Sequence, residues 1–135
     1  MDAVINAARS LGKIIQADER YVRYMAAQEA NEKDQALQLM IENFHGIRLE
    51  LSQESGKAEK DQERISRLDT QLKKLYADIF ANENMLEITE ARQDMEGLLG
   101  FVNQIITGSG SGMDPETIEY SSSCGGSCAS CAGCN

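Results

Sequence analysis

The feature that most constrains this chain is a long stretch without proline in which apolar residues recur every three or four positions. The single proline is Pro115, so nothing before it forbids continuous helices. The apolar spacing is that of amphipathic helices, whereas strand-like alternation never persists beyond a few residues. The pattern therefore predicts an all-α fold.

Five helices are predicted from the apolar stripes and the polar residues that flank them. They cover residues 2–16, 19–31, 33–54, 58–81 and 84–106. Asp2 and Asp18 are placed to cap the first two helices, and Ser55-Gly56 supplies a stop for the third. Because the connections are short, we expect an antiparallel helical bundle or hairpin of about five helices. Gly46 lies inside the third helix and predicts a close approach of another helix or a bend.

The fifth helix carries more apolar residues than a monomeric hairpin needs. They are Met85, Leu86, Ile88, Ala91, Met95, Leu98, Leu99, Val102, Ile105 and Ile106. Part of this stripe is expected to face a second subunit, which predicts a homo- or hetero-oligomer formed through the long helices.

The charge balance indicates protein partners. The chain has 13 Lys and Arg residues against 22 Asp and Glu residues, a formal net charge of −9. Phosphate contacts need clustered positive charge, so direct nucleic-acid binding is not expected. No apolar run is long enough to span a membrane, and the N-terminus lacks the features of a secretory signal. We therefore expect a cytoplasmic protein without membrane insertion.

All four cysteines lie in the last twelve residues, at positions Cys124, Cys128, Cys131 and Cys134. The composition predicts a helical domain over residues 1–107, a flexible Gly/Ser linker over 108–123 and a flexible cysteine-rich metal-binding tail over 124–135. In a reducing compartment, clustered thiols favour metal binding or redox chemistry over disulfides.

The thiol spacing is C-x3-C-x2-C-x2-C, which suits tetrahedral thiolate coordination of Zn²⁺ or of an iron–sulfur cluster. Structural zinc sites usually pair two C-x-x-C knuckles across a longer loop, which is missing here. Closely spaced cysteines are more typical of cluster-binding runs. The first three match the spacing of radical SAM enzymes, but no barrel domain accompanies them. An iron–sulfur cluster, zinc, thiol chemistry and no ligand at all stay open at this point.

The helical body offers no evident catalytic group. We interpret its lone histidine, His45, as structural or surface-exposed. A di-iron bundle needs two Glu-x-x-His pairs, and the single histidine allows only one, Glu42 with His45. The sequence therefore predicts that the protein is not an enzyme.

Four helical segments carry a resemblance to a known family. They are Ala36-Leu-Gln-Leu-Met-Ile-Glu-Asn-Phe44, Ile47-Arg-Leu-Glu-Leu51, Asn84-Met-Leu-Glu-Ile-Thr-Glu-Ala-Arg-Gln-Asp-Met95 and Leu98-Leu-Gly-Phe-Val-Asn-Gln-Ile-Ile106. Over residues 1–107 the chain resembles the YlbF/YmcA family of small helical bacterial regulators. The cysteine-rich tail is similar to that of YlbF-type members.

The resemblance implies a regulatory adaptor in a complex with partners resembling YmcA and YaaT. In the best-known members this complex carries [4Fe-4S] clusters and acts as a specificity factor for the endoribonuclease RNase Y in mRNA processing. It supports competence, sporulation and biofilm formation. By this resemblance, Cys124, Cys128, Cys131 and Cys134 are candidate cluster ligands, and RNase Y is contacted indirectly.

Two alternative functions follow from the tail. The chain could be a ribosomally synthesised precursor peptide, with a helical leader and a modified core rich in Cys, Ser and Gly. It could instead be a zinc-binding interaction module.

Overall fold

A computed structural model describes residues 2–121, which contain five α-helices and one short 3₁₀ helix. The helices are α1 (Ala3–Ala17), α2 (Glu19–Lys33), α3 (Gln35–Ser55), α4 (Gln62–Ala81) and α5 (Glu83–Gly110), followed by a 3₁₀ turn at Pro115–Thr117. No strand occurs in this part of the chain, so the all-α prediction is confirmed. The chain divides into two units, Met1–Glu90 and Ala91–Asn135.

Aspartates begin the first four α-helices. Asp2, Asp18, Asp34 and Asp61 each accept a hydrogen bond from a backbone N–H of the first helical turn. Such a cap stabilises a helix by about 1 kcal/mol relative to alanine. The caps at Asp2 and Asp18 are confirmed. The cap at Asp61 explains why α4 begins at residue 62 and not at 58 as predicted.

Helices α3 and α4 form an antiparallel hairpin. Phe44 of α3 lies near Tyr76 of α4, with ring centroids 6.3 Å apart. Nearer the connecting loop, Glu50 pairs with Arg64 at 3.7 Å. Residues near the end of α3 therefore pair with residues near the start of α4, so the two helices are antiparallel. Leu37, Leu68 and Ile79 are the buried apolar side chains of these two helices.

The glycine inside α3 does not mark a close approach. A Cβ atom added to Gly46 would meet nothing within 4 Å, and α3 runs as one helix from Gln35 to Ser55. The prediction that another helix packs closely on Gly46 is therefore wrong within the described residues.

Helix α5 is longer than the sequence predicts. It continues to Gly110, four residues beyond the predicted end at 106. Part of the Gly/Ser stretch that composition assigns to a flexible linker is thus helical, because its backbone carbonyls find partners in a helix cap. The division of the chain into domain, linker and tail stays a prediction.

Candidate functional site

The predicted ligands Cys124, Cys128, Cys131 and Cys134 lie outside the described residues. The structure does describe the segment that leads to them, residues 113–121, which we call the strap. The strap folds back along the last turns of α5. Its contacts with α5 hold the residues that immediately precede the cysteine run.

The strap begins at a glycine-based helix cap. The backbone N–H of Met113 donates to the carbonyl of Gly108 at 3.0 Å, and that of Gly112 donates to the carbonyl of Ser109 at 3.1 Å. Gly112 has a φ of 91°, a conformation that side-chain-bearing residues adopt at a cost. These are the paired bonds of a Schellman motif, and they reverse the chain direction at the end of α5.

After the cap, Asp114 organises a short turn. Its carboxylate accepts the backbone N–H of Glu116 at 3.0 Å, and its carbonyl accepts that of Thr117 at 3.1 Å. Pro115 occupies the first position of this 3₁₀ turn, where its missing N–H costs nothing. The turn directs the rest of the strap along α5.

Two side chains of the strap pack on α5. Ile118 lies against Gly108, where an added Cβ would stand 2.7 Å from the Ile118 Cδ1 atom. Tyr120 packs edge-on to Phe101, with ring centroids 5.9 Å apart. Gly108 is buried by this contact region, so the absence of a side chain there makes room for the strap.

A side-chain amide fastens the end of the strap. Gln104 Nε2 donates to the backbone carbonyl of Ser121 at 2.6 Å, and the backbone N–H of Ser121 donates to Gln104 Oε1 at 3.0 Å. One glutamine therefore satisfies both backbone groups of Ser121, as a neighbouring strand would. Sequence reasoning missed the strap, although Gly112 followed by Pro115 is a signal for a helix C-terminus.

The donor chemistry of the cysteine run fits a metal centre. Four thiolates are the ligand set of structural zinc sites and of iron–sulfur clusters. Cys124 follows Ser121 by three residues, and three extended residues span about 10 Å. Within the described residues, no three His, Cys, Asp or Glu side chains come together in a metal-binding arrangement.

A second feature is the apolar face of α1. Its apolar residues recur at helical spacing, yet none of them is buried. Val4 is 76 % exposed and Ile14 is 66 % exposed. The polar side of the same helix carries Arg9 and Lys13 and no acidic residue. This helix is amphipathic with its apolar face largely uncovered.

Exposed apolar side chains also occur on later helices. On α5, Leu86, Leu99 and Ile106 are exposed. On the α3–α4 hairpin, the rings of Tyr76 and Phe80 lie 4.6 Å apart and are both exposed. Beside Tyr76 is an open cleft of about 260 Å³ with mostly apolar walls.

Some ionic contacts join two helices or lie at the loop between them. Arg23 of α2 forms a two-point pair with Glu87 of α5, with an Nε–Oε1 distance of 2.6 Å, and this pair lowers the pKa of Glu87. Hydrogen bonding to Lys57 and to the backbone of Asp61 lowers the pKa of Glu54, which is 4 % exposed. These carboxylates have cationic or N–H partners, as expected of structural contacts.

One carboxylate joins two helix junctions. Asp34 caps α3 through the N–H of Leu37, and its Oδ2 accepts the side-chain amides of Asn82 and Asn84, each at 3.0 Å. These bonds lower the pKa of Asp34. Asn82 in turn accepts the backbone N–H of Met85 in the first turn of α5. The junctions α2–α3 and α4–α5 are thus tied together.

Neither the cleft beside Tyr76 nor the cleft beside the strap is lined by a carboxylate or a histidine. His45 is exposed and lies edge-on to Phe44, with centroids 6.1 Å apart. The cleft beside the strap, about 540 Å³, is lined by uncharged side chains of α5 and of the strap. No helix in the described part of the chain is long and apolar enough to cross a membrane.

The chain was compared with known protein families, curated proteins and solved structures. A family model described as "Control of competence regulator ComK, YlbF/YmcA" matches residues 4–109. No curated protein and no solved structure matches the chain. The matched residues include all five α-helices as far as residue 109, and the matched family is a regulatory one.

Proposed function

The chain belongs to the YlbF/YmcA family, and we propose that it is a non-enzymatic regulatory subunit that docks partner proteins through its helices and holds an iron–sulfur cluster on its C-terminal thiols. The partners proposed are proteins resembling YmcA and YaaT, in a complex that modulates RNase Y-dependent mRNA processing in the cytoplasm. Competence, sporulation and biofilm formation would be its outputs.

The observation that carries the docking proposal is the uncovered apolar face of α1. Burying an isoleucine side chain stabilises an association by about 1.5–3 kcal/mol, and Ile14 is 66 % exposed. Because this apolar face is uncovered in the single chain, it supports the proposal that a partner protein covers it. The exposed leucines of α5 support the same conclusion.

The docking proposal is tested by placing a charge on this face. Ile14→Glu should weaken association with purified YmcA-like and YaaT-like partners, or with a second copy, by about tenfold or more because a buried carboxylate lacks a partner. Gln16→Glu, which adds the same charge on the exposed polar side of α1, should leave association unchanged. Light scattering and sedimentation measure both. A wild-type chain that stays monomeric alone and with both partners would contradict the proposal.

The cluster proposal is supported by the donor set and by the family. All four thiols of the chain are Cys124, Cys128, Cys131 and Cys134, and their close spacing suits an iron–sulfur centre, proposed as [4Fe-4S]. When bound, the cluster would supply sensitivity to oxidants or to iron supply. The protein's own contribution would be the four thiolates.

Anaerobic purification tests the cluster directly. The wild-type chain should be brown, with absorbance near 400 nm and with iron and sulfide bound, and replacement of the four cysteines by alanine should abolish all three signals. A colourless chain with one equivalent of zinc would establish the zinc-binding module instead. Mass spectrometry of native protein tests the alternative function of a precursor peptide, because that function requires a modified or cleaved tail.

The cellular role is tested in the source bacterium. Deleting the gene should alter the processed ends of RNase Y-dependent transcripts, and the wild-type gene should restore them. Restoration by the Ile14→Glu gene would contradict a role through docking. Unchanged transcript ends in the deletion strain would contradict the RNase Y assignment while leaving the cluster test unaffected.

A further inference from the structure

We infer that the strap is a clamp that ties the cysteine run to α5, with Gln104 and Gly108 as positioning residues for the thiols. The inference rests on the proposed function in one respect, namely that the thiols hold a cluster. The clamp itself is carried by the contacts of residues 113–121, which that proposal does not use.

The first argument is that the strap is held at both ends. The Schellman cap at Gly112 fixes its beginning, and the Gln104 side chain fixes its end at Ser121. A segment of nine residues that only linked two domains would need neither contact. Ordering such a segment costs conformational entropy in every residue, so contacts at both ends and in between are required to hold it.

The second argument is the shape of α5 under the strap. Gly108 is buried within a helix, where glycine costs about 1 kcal/mol relative to alanine. An added Cβ would stand 2.7 Å from Ile118 and 3.4 Å from the sulfur of Met113. The glycine thus weakens the helix and at the same time accommodates the strap.

The third argument concerns distance. Ser121 is fastened to Gln104, and Cys124 comes three residues later, so its Cα atom lies within about 10 Å of that of Ser121. A docked strap therefore limits how far the first thiol can lie from the backbone of Ser121. Confinement reduces the entropy that the ligands lose on closing around a cluster, so a docked strap should bind a cluster more tightly than a free one.

Coupling of this kind is reciprocal. If strap docking favours the cluster, the cluster must favour strap docking by the same factor. The loaded chain should therefore protect the backbone amides of 113–121 from hydrogen exchange better than the apo chain. A strap with a purely structural role in capping α5 would exchange equally in both forms.

The experiment compares Gln104→Leu with Gln93→Leu in the full chain. Both changes lie on α5, but only Gln104 contacts the strap, and Gln93 is exposed. Losing both bonds to Ser121 should reduce the strap docking constant by about tenfold. We expect the 400 nm absorbance of Gln104→Leu to decay about tenfold faster under an iron chelator, with Gln93→Leu at the wild-type rate. Amide hydrogen exchange of residues 113–121 should be faster in Gln104→Leu than in the wild type. Within the wild type, it should be slower with the cluster bound than without it.

A second variant acts from the strap side. Ile118→Ser removes the contact with Gly108 without changing α5, and it should accelerate cluster loss in the same direction as Gln104→Leu. Faster exchange of the strap with an unchanged rate of cluster loss would overturn the inference while the proposed function stands. A wild-type chain that takes up no cluster would overturn the proposed function and the inference together.

Discussion

Replacing Gly46 by alanine should stabilise the protein, because the structure removes the usual reasons for a glycine at this position. Gly46 lies in the interior of α3, far from both ends of the helix. It is exposed, its φ is not positive, and a Cβ atom there would meet nothing within 4 Å. The substitution therefore adds a methyl group without a clash and without new packing.

The magnitude follows from helix propensity alone. Alanine in a helix interior is more favourable than glycine by about 0.8–1.0 kcal/mol. With a typical urea dependence of about 1–3 kcal/mol per molar, the unfolding midpoint should rise by about 0.3–1 M. The far-UV circular dichroism of both proteins should be followed at one protein concentration, since association makes the midpoint concentration-dependent.

The matched control is Gly112→Ala. Gly112 has a φ of 91°, so a side chain there is disfavoured by about 1 kcal/mol or more. This variant should loosen the cap of α5 and accelerate exchange of the Met113 amide. A fall in the unfolding midpoint of Gly46→Ala would refute the reasoning, because it would mean that a surface absent from the single chain packs against that glycine.

Two further predictions concern the core and two carboxylates that pair with arginines. Replacing Leu37, which is fully buried in α3, by alanine should lower the free energy of unfolding by about 2–5 kcal/mol, as measured by urea unfolding. The pKa of Asp18 is lowered to about 2 by its hydrogen bonds from Arg20, and that of Glu87 is lowered by Arg23. Because the unfolded chain binds more protons, these contributions to stability are present above about pH 4 and are lost as the pH falls toward 2. Asp18→Asn, which keeps a capping side chain, should flatten the acid end of a plot of urea midpoint against pH; an unchanged plot would contradict the assignment.

Local chemistry made much of the fold predictable. The number of helices, the caps at Asp2 and Asp18 and the end of α3 at Ser55 depend on residues close together in the chain. The boundary errors have local causes too. Residues 58–60 are good helix formers by composition, but Asp61 is better satisfied as the cap of α4 than inside it.

The strap was not predictable in the same way. Composition alone favours a flexible linker for a Gly/Ser stretch, and the cap signal of Gly112 with Pro115 competes with it. The contact that fastens the strap joins Gln104 to backbone atoms of Ser121, seventeen positions away. A side chain that bonds to backbone imposes no requirement on the identity of its partner, so no sequence pattern reveals it. The cysteine ligands stay a prediction from spacing and family.

The α3–α4 hairpin has a consequence for how the chain acquires its structure. Its pairs begin with the local contact Glu54–Asp61, seven positions apart, and extend outward to Phe44–Tyr76. Proteins dominated by such local contacts fold in microseconds to milliseconds. During synthesis at about 5–20 residues per second, the hairpin can close once α4 has emerged, well before the cysteines are made. The thiols would then be added to a chain whose hairpin is already closed, and loading of the proposed cluster would follow.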